Sequence, residues 1–471
     1  MSRIAALALA FATLCACGNA AAQWLPPDSH VVAEGQARLR QPNAEYRGRR
    51  QELRENLDAP LVLYGYTGHE DNSEVAVFFQ EPNFYYLTGF SEAGAALLIA
   101  PPWPLNGSQP PSPPEVLYLP PRNLNQEVWD GPEIGPDDPG VMQGTGFLAV
   151  EPIANLKGDL QKLAKAYKSF YTILPPEHEE GYPHFTESIA AIRSAVPHAQ
   201  LKDASDKIFA MRQVKSEGEI ALIQKAIDAS IDAQFDAMKT MRPGLYEYQI
   251  AARMKEIHEW NGCAREAYAP IVGTGFNSTV LHYGSLNSEI KDGDIVVMDV
   301  AGEYGGYAAD ITRTVPANGK FTPRQREIYD LVLGAQNGAL AAVKPGATIT
   351  GSKDSLQQIV INYFDSHPDK SGKVLTKYYP HGVSHHLGLD VHDPGDRTRP
   401  LVPGMVITVE PGLYIPEEHI GVRIEDDVLV TPGGHKLLTA RLPRSAEEIE
   451  QIMASSHTGS SRPVDTPPSG P

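Results

Sequence analysis

Ile295-Val296-Val297-Met298-Asp299 and Val406-Ile407-Thr408-Val409-Glu410 decide how this chain is read. Each is an apolar run of strand length that closes on a carboxylate. Each also follows a turn, with Gly293 six residues before Asp299 and Gly404 six before Glu410. A second acid comes next in both places: Asp310 opens Asp310-Ile311-Thr312-Arg313-Thr314, and Glu425 heads Glu425-Asp426-Asp427. His385 stands in His381-Gly382-Val383-Ser384-His385-His386. Gathered without metal, four carboxylates would repel and at least one would have to hold a proton. Four carboxylates and one imidazole instead suit a pair of hard-to-borderline dications. The pattern therefore points to a two-metal hydrolase with Asp299, Asp310, His385, Glu410 and Glu425 as ligands.

Working outward, the same plan appears twice. Ser216-Glu217-Gly218-Glu219 is a capping box that opens a long amphipathic helix running to about Met241, stopped by Arg242-Pro243-Gly244. Thr322-Pro323-Arg324-Gln325 repeats the device with proline in the first helical position, and that helix ends near Lys344-Pro345-Gly346. Helix, Pro-Gly stop, second helix and acid-bearing strands recur in order. That recurrence predicts a duplicated domain with pseudo-twofold symmetry over residues 207–453, with the metals at the seam. One half supplies Asp299 and Asp310, the other His385, Glu410 and Glu425.

The region before it, residues 45–202, reads as a separate α/β domain. Leu61-Val62-Leu63-Tyr64, Val75-Ala76-Val77-Phe78-Phe79, Ala95-Ala96-Leu97-Leu98-Ile99 and Val116-Leu117-Tyr118-Leu119 are its strand candidates, and Asn106 to Pro114 an exposed loop. A boundary is expected near Asp203 to Lys215. Residues 23–44 read as a linker or extended arm, and 455–471, rich in Ser, Thr, Pro and Gly, as a disordered tail.

Composition narrows the class. A chain of 471 residues has room for two ordinary domains, and 42% hydrophobic with 21% charged residues is a globular balance. A formal charge of −18 makes nucleic acid a poor partner, because no basic stripe replaces phosphate counterions. Residues 1–22 have the layout of a secretory signal: Arg3, an apolar run from Ile4 to Ala16, and Ala20-Ala21-Ala22 before Gln23. That run is short for a bilayer span, so export to the periplasm or medium is expected without stable membrane insertion. A lipoprotein signal ending at Cys17 is the alternative. Cleavage at Ala22 would leave Cys263 alone, so no internal disulfide is expected and this thiol reads as a small buried hydrophobe.

The motifs resemble the pita-bread metallopeptidases, in the branch of aminopeptidase P (Xaa-Pro aminopeptidase) and prolidase. The C-terminal resemblance is carried by Val280-Leu281-His282-Tyr283, Met298-Asp299, Ala309-Asp310-Ile311-Thr312-Arg313-Thr314, His381-Gly382-Val383-Ser384-His385, Leu389-Asp390-Val391-His392-Asp393, Thr408-Val409-Glu410-Pro411-Gly412 and Arg423-Ile424-Glu425-Asp426-Asp427. Asn83-Phe84-Tyr85-Tyr86-Leu87-Thr88-Gly89-Phe90 looks like the hallmark of the aminopeptidase P N-terminal domain. The resemblance spans about residues 45 to 453. It implies an α+β two-domain chain: a creatinase-like N-terminal α/β domain and a pseudo-twofold pita-bread catalytic domain.

It also implies roles. Asp299 would chelate one metal, Asp310 and Glu425 would bridge both, and His385 and Glu410 would hold the other. A metal-bridging hydroxide would attack the scissile carbonyl while Glu410 shuttles the proton to the prolyl nitrogen. His392 would steady the oxyanion, His282 and His381 would line the proline pocket, and Arg423 would orient acidic groups. The ions would be two divalent cations, Mn²⁺ favoured over Zn²⁺, in a dimer or tetramer. Substrates would be peptides with proline second, whose scissile bond is a tertiary amide without N–H. A prolidase confined to Xaa-Pro dipeptides is the rival, and Ser384 leans away from it. Methionine aminopeptidase, a metal-free creatinase-type hydrolase and a non-catalytic binding module on the same fold are more distant readings; the last two usually lack metal ligands. His386, where relatives often carry a bulkier apolar residue, is a departure, and the segment Ile415 to Ile420 is short for the family.

Overall fold

A computed structural model describes residues 40–70, 78–102, 113–175 and 183–457. The chain forms two compact units, Met1–Ile208 and Phe209–Pro471. The expected signal at 1–22 and most of the arm and tail lie outside the described residues.

The first unit contains helices α1 Asn43–Glu55, α2 Pro82–Thr88, α3 Leu156–Leu163 and α4 Pro183–Ala195. Its strands are β1 Leu61–Tyr64, β2 Ala96–Ile99, β3 Glu115–Leu119, β4 Val150–Pro152, β5 Ser169–Thr172 and β6 Gln200–Asp203. They form one mixed sheet in the order β4-β3-β2-β1-β5-β6. Val62, Leu98, Val116 and Phe170 of the sheet pack with Leu160 and Leu163 of α3 and Ile192 of α4. Strands covered this way read as continuous apolar runs, which is why they stood out in the sequence. In the second strand candidate, Val75 to Phe79, residues 75–77 lie outside the described residues, and Phe78 and Phe79 belong to no strand. Of the expected loop from 106 to 114, only Pro113 and Pro114 are described, and neither is in a strand.

Two edges differ from expectation. The arm ends sooner, because α1 starts at Asn43, with Pro42 at φ −59° before it and Glu45 in its first turn. The boundary itself falls where it was expected, between Ile208 and Phe209 within α5 Ser205–Gln213. The tail starts later: α10 Ala446–His457 keeps Ser455 to His457 helical, Ser455 Oγ donating to Ile452 O at 2.7 Å.

The second unit repeats one design. In the first half, α6 Glu217–Thr240 and α7 Glu247–Trp260 precede β7 Arg265–Glu266, β8 Ile271–Thr274, β9 Ile295–Asp299, β10 Gly302–Tyr304, β11 Tyr307–Ala308 and β12 Thr312–Pro316. In the second half, α8 Pro323–Ala342 and α9 Leu356–Ser366 precede β13 Val406–Val409, β14 Gly412–Ile415, β15 Ile420–Arg423, β16 Asp426–Thr431 and β17 Gly434–Leu437. Both capping boxes form, at Ser216/Glu219 and at Thr322/Gln325. The acid-bearing strands lie in two matching sheets, β12-β9-β8 and β13-β16-β17. The turn glycines Gly293 and Gly404 adopt φ of 84° and 94°, a left-handed conformation that side chains resist. The shared six-residue interval thus sets where each strand ends.

Candidate metal centre and active site

The fold delivers the five proposed ligands to one cavity of about 460 Å³. Asp299 is the last residue of β9, and Glu410 directly follows β13. Asp310 stands just before β12, and Glu425 in the short link between β15 and β16. His385 runs beside β13: its backbone N–H donates to Thr408 Oγ1 at 3.2 Å, and its carbonyl accepts from Thr408 N at 3.0 Å. Asp299, Asp310, His385 and Glu425 are buried, and Glu410 is partly so.

Their donor atoms fall into overlapping groups. Asp299, Asp310 and Glu425 each bring a carboxylate oxygen within 4.8 Å of the others, and so do the ligand atoms of His385, Glu410 and Glu425. A third group, Asp310, His385 and His392, meets the same limit. Glu425 belongs to both of the first two groups, a placement suited to joining two ions. His385 Nδ1 is bonded to His386 O at 2.9 Å, which leaves Nε2 to face Asp310 Oδ2 at 3.3 Å and Glu410 Oε1 at 3.5 Å. A backbone acceptor on one ring nitrogen is the usual way to aim the other at a metal.

Charge supports the fit of this donor set to dications. Burial first, then neighbouring carboxylates, pushes Glu410 up to about 7 and Glu425 well above the ordinary range. Burial also raises Asp299, although Arg423 opposes the rise. Burial draws His385 down, but Asp310 and Glu410 outweigh it and hold the imidazole up to about 9. A cluster that must keep protons to tolerate its own charge is one that two dications would relieve.

Arg423 is the main support. Its guanidinium donates to Asp299 Oδ2 at 2.6 Å, to Thr312 Oγ1 at 3.1 Å and to Tyr414 Oη at 2.8 Å. Thr312 Oγ1 in turn donates to Glu425 Oε2 at 2.6 Å, and Tyr268 Oη to Asp299 Oδ1 at 2.5 Å. Asp427 is buried and accepts from Asp310 N at 3.1 Å.

The three remaining histidines also line the cavity. His381 Nδ1 is bonded to Gly382 O, and its Nε2 lies 2.9 Å from Tyr414 Oη. Burial and then Arg423 pull His381 down to about 4, so it is a neutral ring at physiological pH. His392 is exposed, with its ring 4.3 Å from that of His385, and burial of its polar end lowers it. His282 is also exposed on the rim. His386 turns away from this face: it bridges Asp393 and Ile407, and an added Cβ on Gly395 would come within 2.1 Å of its ring. Cys263 is buried elsewhere in the unit, its thiol pushed up to about 12 by burial, and has no part in the site.

Sequence reasoning missed Tyr268 and Arg397, both in the cavity wall, and Tyr414, which bonds His381 and Arg423. Tyr268 and Tyr414 touch ligands or their supports only through tertiary contacts, and no local spacing marks them.

Comparisons with known proteins agree with this geometry. Residues 221–432 match the model of metallopeptidase family M24, and residues 46–172 match the aminopeptidase P N-terminal domain. An Xaa-Pro aminopeptidase of Haemophilus influenzae is 36% identical over 88% of this chain and 97% of its own length. The Xaa-Pro aminopeptidase of Escherichia coli is 34% identical over 87% and 97%. Among solved structures, aminopeptidase PepP of Pseudomonas aeruginosa superposes with a TM-score of 0.79 at 30% identity, covering 89% of this chain and all of that one. The fold and site define a two-domain pita-bread metallopeptidase. The chain belongs to metallopeptidase family M24, in its aminopeptidase P branch.

Proposed function

We propose that this protein is an Xaa-Pro aminopeptidase, releasing the first residue of peptides whose second residue is proline. The observation that carries this reading is the pair of overlapping ligand groups, Asp299/Asp310/Glu425 and His385/Glu410/Glu425, in a cavity walled by histidines and tyrosines. Two divalent ions held there, Mn²⁺ by the oxygen-rich donor set, would polarise the scissile carbonyl and make a water acidic enough to attack near neutral pH.

The chain's own residues supply the rest. Asp299, fixed by Arg423 and Tyr268, marks the end of the cavity where the free α-amine would anchor. Glu410, directly after β13 with its Oε1 3.5 Å from His385 Nε2, is suited to take the proton from the attacking water and pass it to the prolyl nitrogen. His392 beside His385 is placed to donate to the developing oxyanion. The ring of His381, fixed by Gly382 O and Tyr414, offers a flat apolar face to a pyrrolidine. Export by the signal at 1–22 and assembly into a dimer or tetramer belong to the same proposal; their support is the layout of Arg3, the run Ile4 to Ala16 and Ala20-Ala21-Ala22, and the family resemblance.

Arg397 in the cavity wall favours one second reading, because a cation there could meet the C-terminal carboxylate of a dipeptide and make the chain a prolidase. Metal-stripped protein reconstituted with Mn²⁺ separates the two. Metal-dependent release of the first residue from an Xaa-Pro-Xaa tripeptide is expected, with no turnover of a Met-Ala-Xaa peptide. Cleavage restricted to an Xaa-Pro dipeptide would make it a prolidase, and no turnover of any of the three would overturn the proline reading.

A further inference from the structure

Two buried glutamines occupy matching places in the two halves of the second unit. Gln234 of α6 and Gln336 of α8 are both fully buried. Gln234 Nε2 donates to Met298 O at 3.2 Å and to Ile311 O at 3.3 Å. Gln336 Nε2 donates to Asp426 Oδ2 at 2.8 Å and shares its two N–H groups with Val409 O and Ile424 O, each at 3.1 Å. Each of these four carbonyls belongs to a residue next to a proposed ligand: Met298 to Asp299, Ile311 to Asp310, Val409 to Glu410 and Ile424 to Glu425. Neither spacing nor periodicity singled out either glutamine in the sequence.

The carbonyls lie where the strand ladders loosen. Val300 N reaches Ile311 O only at 3.3 Å, and Ile424 N reaches Pro411 O only at 3.5 Å. Asp299 is the last paired residue of β9, opposite Ile271 and Thr312, while outside the regular strands single bonds hold the backbone of Glu410, to Val383 O at 2.9 Å, and of Glu425, to Thr312 O at 3.1 Å. A primary amide has two N–H donors on one rigid plane, so a single side chain can bind a carbonyl on each of two segments. We propose that Gln234 and Gln336 are a pseudo-twofold pair of positioning residues that cross-link the ligand-bearing strand ends and hold the four carboxylates in register for two ions. This inference rests on the two-ion reading of the site.

The test uses the full chain, with Mn²⁺ as the probe. Gln234→Met and Gln336→Met keep length and lose both donors. Ser230→Ala is the control: Ser230 lies on α6, is buried, donates to Ala226 O and accepts from Gly302 N, and touches no ligand-bearing residue. Calorimetric titration should give wild type with two ions and each glutamine variant with binding weakened by about 10–100-fold, the usual effect of removing a support behind a metal ligand. Ser230→Ala should bind Mn²⁺ as wild type does while its metal-free melting temperature falls. If a methionine variant does not fold, Gln234→Asn, which keeps the amide but shortens its reach, should show the same direction of change. Unaltered Mn²⁺ affinity in the glutamine variants, or an equal loss in Ser230→Ala, would overturn the cross-link. A wild type that does not bind two ions would instead overturn the two-ion reading beneath it.

Discussion

The two halves of the second unit share a plan and differ at one place that matters. In the first half β8 lies antiparallel to β9, with Ile271 opposite Asp299 and Gly273 opposite Val297. In the second half the segment around His385 lies antiparallel to β13, with His386 opposite Ile407, so His385 stands by Thr408. Val297 is two residues before Asp299 and Thr408 two before Glu410. Gly273 and His385 therefore occupy equivalent positions. A Cβ on Gly273 would meet Asn277 O at 2.7 Å, because the turn Gly275–Thr279 folds back over it. One half uses the position for a turn leading to His282, and the other uses it for an imidazole ligand. Duplication supplied the carboxylates twice, and a local departure from symmetry made the site's one proposed histidine ligand.

The sharpest way to break this comparison is at the residue common to both ligand groups. Glu425→Ala should remove the second ion and lower the rate on an Xaa-Pro-Xaa peptide by about 10⁴-fold or more, the scale of losing one member of a unit that acts together. Metal content and steady-state rates would check it. A smaller pair of effects should separate the equivalent positions. His385→Ala should weaken Mn²⁺ binding while the metal-loaded fold persists. Gly273→Ala should cost about 1–3 kcal/mol of stability by overpacking against backbone and leave Mn²⁺ affinity close to wild type. Chemical denaturation and metal titration of both variants would show the crossover, and its absence would mean that the two positions are not equivalent in use.

The smallest effect concerns pH. In the metal-free chain, Glu410 pushed up to about 7 and His385 up to about 9 keep protons that the unfolded chain releases at lower pH. Their contribution to stability is therefore present at low pH and lost as pH rises, between 4.5 and about 7 for Glu410 and between 6.5 and about 9 for His385, a combined window from 4.5 to 9. The melting temperature of the metal-free protein should fall across that window, and that of the Mn²⁺-loaded protein should fall less. A rise in the metal-free curve would contradict these protonation states.

Much of this was legible in the sequence, for definite reasons. Asp299 and Glu410 end strands buried on both faces, so the change from apolar run to charge is abrupt, and Gly293 and Gly404 fix where it falls. The capping boxes at Ser216 and Thr322 are local hydrogen-bond chemistry, readable over four residues. Arg423 stood out through family motifs, but its bond to Asp299 joins residues 124 positions apart. Tyr268 reaches Asp299 over 31 positions, Tyr414 reaches His381 over 33, and the two glutamines reach their carbonyls over 64 to 88, with no motif to mark them. The boundary between the units falls inside the stretch read as one, within α5, whereas buried Met453 anchors the last turns of α10 into the stretch read as a tail.

Counting ions is the most direct test of the two-ion site. Metal-stripped protein titrated with Mn²⁺ would be measured for metal content by native mass spectrometry, alongside its rate on an Xaa-Pro-Xaa tripeptide. Two ions per chain, with activity rising as they bind, is the expected result. A single ion at saturation, or full activity without metal, would contradict the shared role given to Glu425 and Asp310.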